Sequence, residues 1–152
     1  MQKSLVIAGC VVLWELILML LRKQRARQVF QQAEARAKAT GKKLLVVGDP
    51  RASLKNRLFG TDYGCGDQCV DLNGCGVCPS KSVSKDLVTH LNTLSTSSLV
   101  VFESCTLEYV PDRAEAEAEL LRVSGGDVFS VRVSPLSLFY WTRGLGLFRG
   151  SI

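Results

Sequence analysis

The chain has 152 residues, with 19 lysines and arginines against 14 aspartates and glutamates, a formal charge of +5 and room for one domain of modest size. The surplus sits at one end: residues 1–43 carry nine basic and two acidic side chains, net +7, whereas residues 44–152 carry ten and twelve, net −2. A globular part with that balance lacks the basic footprint of a nucleic-acid binder, so nucleic acid is not an expected partner.

Leu5 to Leu21 is a seventeen-residue apolar run with one charge, Glu15, at the lower limit for spanning a hydrocarbon core. It predicts a transmembrane signal-anchor over residues 1–23. Arg22, Lys23, Arg25 and Arg27 follow it, against Lys3 before it, and this bias places the carboxyl-terminal domain in the cytosol. The membrane, through this single-pass anchor, is thus the first expected partner, and a protein partner reached through the helix or an open sheet edge is the second. Residues 24–43, rich in Gln, Ala and Arg, read as a basic juxtamembrane helix or linker, with Gly41 placed to stop it.

From Leu44 onward the pattern changes to short apolar runs separated by turn residues. Leu44–Val47 is a first strand, ended by Gly48, Asp49 and Pro50. Ala52–Phe59 is a short helix, and Gln68–Leu72 a second strand with Asp71 near its end. Pro79–Ser84 reads as a polar loop, and Leu87, Val88, Leu91 and Leu94 recur at helical spacing. Leu99–Phe102 has no alternation and reads as a strand buried on both faces. Asp112 with Glu115 three residues on starts a helix, which Gly125 and Gly126 end, and Val128, Phe129, Val131 and Val133 form the strand after it. Strand, helix, strand in this order makes a parallel pair.

Four of the six cysteines fall within fourteen residues: Cys65, Cys69, Cys75 and Cys78. In a reducing cytosol four clustered thiolates are soft ligands for zinc, and Cys75-x-x-Cys78 is a common half-site. On the lumenal side of a membrane the same residues pair as two disulfides. A third reading makes Cys65 and Cys69 small buried residues at a strand edge. The spacing alone leaves these open. His90, the one histidine, sits among the apolar positions of a helix and pairs with no nucleophile in the sequence.

VVFESCTLEYVPD followed by ELLRVSGGDVFSV resembles the fourth-strand, helix and fifth-strand region of class I S-adenosylmethionine-dependent methyltransferases, over roughly a quarter of the chain. The expected fold is therefore α/β: the transmembrane helix and helical stalk read above from the apolar run and the composition, then, as the resemblance implies, a small, incomplete Rossmann-like parallel sheet over residues 44–135, with an aromatic tail over residues 136–152. The resemblance implies S-adenosylmethionine as cofactor, with Gly48 and Asp49 in place of the glycine loop, Asp71 on the ribose, and Ser104, Cys105 and Glu108 lining the pocket. Only the first glycine of the family's DxGxGxG loop is present. The function expected on these grounds is a membrane-anchored, degenerate methyltransferase-like module for interaction or scaffolding, with an active methyltransferase or a cysteine-zinc module as alternatives. After Pro135 too few residues remain for the family's last strands, and Phe139, Tyr140 and Trp141, flanked by Arg143 and Arg149, are expected to cover a sheet edge or dip into a membrane interface.

Overall fold

A computed structural model describes residues 2–138 and Tyr140. One long helix, α1 (Gln2–Thr40), leads into five strands: β1 (Lys43–Val47), β2 (Gln68–Asp71), β3 (Ser82–Ser84), β4 (Leu99–Ser104) and β5 (Val128–Val131). Between them lie the short helices α2 (Leu54–Phe59) and α3 (Leu87–Leu91) and the longer α4 (Arg113–Ser124). The strands form one sheet in the order β3-β2-β1-β4-β5, parallel at every pairing. The expected α/β parallel sheet is therefore present, and β4 is interior, between β1 and β5.

Alternation along β1 and β4 divides the core into two layers. Leu44, Val46, Val100 and Phe102 face α1, whose Ala26, Val29, Phe30, Ala33 and Ala37 form one buried stripe at helical spacing. Leu45, Val47 and Val101 face the other way, onto Leu87 and Leu91 of α3 and Ala116, Leu120 and Val123 of α4. The alanines of α1 let its backbone lie close to the sheet, while Phe30 meets Phe102 edge-on at 5.2 Å between ring centroids. Asp112 caps α4 by accepting from the Glu115 N–H, and Gly125 ends it in the left-handed region at φ +67°.

Several expectations for the amino-terminal third are corrected. Among the described residues no helix is long and apolar enough to cross a membrane, so the transmembrane anchor is not supported. The polar groups of the apolar run are bound by the chain itself. Ser137 Oγ donates to Glu15 Oε2 at 2.8 Å, the Leu138 N–H donates to Glu15 Oε1 at 2.6 Å, and Trp14 Nε1 donates to the Leu136 carbonyl at 3.2 Å. The basic flank on which the orientation rested is also partly internal: Lys23 Nζ lies 3.3 Å from Asp62 Oδ1 and donates to the Phe59 carbonyl at 2.9 Å. The helix runs unbroken through residue 23, and the expected stalk is the inner layer of the core.

A second correction concerns the compartment. The cysteine cluster forms two nested disulfides, Cys65–Cys78 around Cys69–Cys75. Such bonds persist under oxidising conditions, which argues against a domain facing the reducing cytosol. Of the aromatic tail, Phe139, Trp141, Arg143 and Arg149 lie outside the described residues.

β3 replaces part of the expected polar loop. Its Ser-Val-Ser has one apolar residue, and the strand exists because Val70 and Asp71 of β2 offer it a free edge.

Candidate functional site

In an open parallel sheet the crevice for a ligand lies beyond the carboxyl ends of the strands, where the strand order reverses. Here that point falls between β1 and β4, with Val47 opposite Glu103. Gly48 and Asp49 leave the end of β1, Asp71 is the last residue of β2, and Ser104 ends β4 with Cys105 directly after it. The residues singled out in the sequence thus share one edge of the sheet.

Their hydrogen bonds turn inward. Gly48, at φ +91°, donates its N–H to the Val70 carbonyl at 2.8 Å, and the Asp49 N–H donates to Asp71 Oδ2 at 3.1 Å. Asp71 Oδ1 accepts from the Asn73 N–H at 3.0 Å, so both of its carboxylate oxygens hold the chain's own turns. Asp49 Oδ1 likewise accepts from the Arg51 N–H at 3.0 Å. Above Gly48 stands Thr106, whose hydroxyl donates to the Val47 carbonyl at 3.0 Å. A Cβ added to Gly48 would collide with that hydroxyl. The backbone approach that a glycine permits is taken here by Thr106.

The titratable groups around this edge are poorly set for acid–base or nucleophilic work. Burial pushes the Cys105 thiol up to about 11, only partly opposed by Arg22, and its S–H donates to the Val131 carbonyl at 3.4 Å. Glu103 is fully buried; desolvation raises its carboxyl, while Arg132, 3.6 Å away, pulls the other way. Burial also raises the Tyr63 phenol, whose ring packs 4.7 Å from that of Phe102. His90 is buried in α3, and desolvation, then Lys85, lower its pKa. Among the described residues its ring makes no hydrogen bond to Cys105, Glu103 or Asp49, so no nucleophile is paired with a base. Glu108 lies in the turn after β4, with one carboxylate oxygen buried.

The four cysteines proposed for a metal are joined to one another, and a disulfide sulfur is not the thiolate that zinc requires. Among the described residues no group of three or more His, Cys, Asp or Glu is placed to hold a metal ion. Instead the bonds clamp the turn after β2 beside the edge: a Cβ on Gly76 would lie 3.9 Å from Asp49 Oδ2, and the Cys75 N–H donates to Ser82 Oγ at 2.6 Å.

A cavity of about 620 Å³ opens elsewhere, between α1 and residues 64–67 near the start of β1. Its lysines are partly committed: Lys81 donates to the Gly66 carbonyl at 2.6 Å, and Lys42 to Asp127 at 3.1 Å. Glu34 and Asp67 offset part of its positive charge.

The structural roles of Thr106, Tyr63, Arg132 and the Lys23–Asp62 pair are not legible in the sequence, where Lys23 reads only as part of the basic flank. Nothing in the residue order marks them, because each gains its role from a partner on a distant segment. Compared with family models, with curated proteins and with solved structures, the chain matches none.

Proposed function

We propose that this chain is a non-catalytic interaction module: a disulfide-braced α/β domain, matured under oxidising conditions, that presents the exposed half of α1 to a partner. The observation that carries this reading is Thr106 standing over Gly48, where a cofactor's phosphate or carboxylate would need bare backbone. The commitment of both Asp71 oxygens to backbone N–H groups and the raised Cys105 thiol agree with it. The test is calorimetric titration of the oxidised full chain with S-adenosylmethionine and S-adenosylhomocysteine. No saturable heat is expected.

One observation favours a second reading. The strand order β3-β2-β1-β4-β5, with Gly48–Asp49 ending β1 and an acid ending β2, is the framework on which methyltransferase-like domains hold a nucleoside cofactor. Each carboxylate oxygen has a second lone pair, so Asp71 can accept ribose hydroxyls while keeping its turn. Saturable binding abolished by Asp71→Ala would replace the first reading with this one, with Ser104, Cys105 and Glu108 as pocket lining.

A further inference from the structure

We propose that the partner of α1 is a second copy of this chain, the two helices pairing in parallel along the seam Val6, Cys10, Leu13, Ile17, Leu20. This rests on the interaction-module reading and names the surface it uses. The seam residues are spaced 4, 3, 4 and 3 apart, the repeat of a two-stranded coiled coil. Cys10 is exposed as a free thiol, and the other four are between 43 % and 62 % exposed.

The seam points away from the domain. At 3.6 residues per turn it lies about half a turn of the helix from the stripe Ala26, Val29, Phe30, Ala33, Ala37 that packs on the sheet. Glu15 and Arg22, midway between the seam's flanks in the repeat, fall on the domain side. Among the described residues the seam itself therefore lies opposite the face packed on the sheet, with Leu136 touching the flanking Trp14.

Area and composition select the occupant. Ten large apolar side chains from Val6 to Leu21 are 40–66 % exposed. Together they place roughly 900 Å² of apolar surface in water, more than the largest patch of a typical monomer and close to the ~800 Å² per partner of a stable complex. Ile17 with Leu13 and Leu20 reproduces the β-branched and leucine alternation that favours two parallel strands. The flanking Ile7, Trp14, Leu16 and Leu21 are apolar, so the covered face is wide and no charge opposes self-pairing along it. The seam ends at Gln24 and Arg27, where the helix becomes polar on this side. In the parallel arrangement alone, Cys10 faces Cys10 of the second copy.

The experiment uses the full oxidised chain. Sedimentation velocity over a micromolar range is expected to give twice the 16.6 kDa of one chain. With glutathione disulfide added, two Cys10 thiols are oxidised to one Cys10–Cys10 bond as one glutathione disulfide is reduced to two glutathione thiols. Non-reducing electrophoresis then shows a dimer band. Cys10→Ser loses the band and keeps the mass, whereas Leu13→Glu, which buries a carboxylate in the seam, weakens association roughly 100-fold. Circular dichroism of Leu13→Glu checks that the fold is intact, as its exposed position implies. A monomeric wild type overturns the proposal, and so does a dimer without the Cys10 crosslink. Addition of phosphatidylcholine vesicles supplies the remaining control: uptake as an uncrosslinked monomer makes lipid the occupant and overturns the dimer while the interaction-module reading stands. Cofactor binding in the titration above would sink that reading and leave the dimer result untouched.

Discussion

Thr106 and Gly48 are locked together across the switch point of the sheet. The threonine hydroxyl donates to the Val47 carbonyl at 3.0 Å and occupies the volume a Gly48 side chain would need. Gly48→Ala therefore meets a steric collision and a φ of +91° at once. Its expected cost is about 3 kcal/mol, of which about 1 kcal/mol is the backbone term. In a Thr106→Ala background the collision is relieved and the cost falls toward the backbone term. A double-mutant cycle on urea unfolding measures the coupling, and strict additivity would mean the two residues do not share that space.

The nested disulfides brace the turn after β2. Chain-entropy arguments give about 3 kcal/mol for the thirteen-residue Cys65–Cys78 separation and about 2 kcal/mol for the six-residue Cys69–Cys75 one. Paired serine substitutions are expected to lower stability by these amounts, with an added penalty at Cys69, which is fully buried in β2. Non-reducing peptide mapping should recover both pairings. Four free thiols in that cluster, after purification without reductant, would contradict them.

Cys105 should be a slow thiol. Its pKa of about 11 leaves roughly one molecule in a thousand as thiolate at pH 8, and its sulfur is hydrogen-bonded to the Val131 carbonyl. Alkylation of Cys105 in the folded chain is expected to accelerate with pH up to that value and to become rapid on unfolding at pH 8. Rapid modification at pH 8 without unfolding would mean a more open site than the hydrogen bond implies.

Glu103 makes stability depend on pH. A carboxyl raised by burial contributes its full stabilisation below the ordinary value near 4.5, and that contribution fades as pH rises through the higher folded-state value. Glu103→Gln does not titrate. Relative to wild type, the variant should gain stability as pH rises above the ordinary carboxyl value, compared at about pH 4 and at about pH 7, set against the loss of the Arg132 contact. Urea midpoints at both pH values decide it; a gap that moves the other way would show that the Arg132 pairing outweighs desolvation.

Lys23 is a structural side chain. It ties α1 to the last residue of α2 through the Phe59 carbonyl and to the segment after α2 through the Asp62 carboxylate, and the Asp62 side chain is only 5 % exposed. Lys23→Met removes the ammonium opposite that buried carboxylate and should cost about 3 kcal/mol, most of which Lys23→Met with Asp62→Asn recovers. Equal stabilities of the single and double variants would refute the pairing.

The sequence alone determined the parts of this fold that depend on local chemistry. The unbroken apolar runs placed β1 and β4, since residues buried on both faces leave no room for alternation. The Asp112 cap and the Gly125–Gly126 stop bounded α4, because caps satisfy backbone groups within one turn. Gly48 and Asp71 were legible as strand-end residues for the same reason.

What only the tertiary structure decided depends on partners distant in the chain. The apolar run of α1 could not reveal that its Glu15 is held by Ser137 and Leu138, 122 and 123 residues away. Nor could the cysteine spacing choose among thiolates, disulfides and buried thiols, which differ only in which sulfurs the folded backbone brings within bonding distance. β3 shows no periodicity of its own and is a strand because β2 leaves an edge to pair. The meeting of Thr106 with Gly48 and the Val47 carbonyl is likewise a matter of two strand ends meeting in space, which no local pattern encodes.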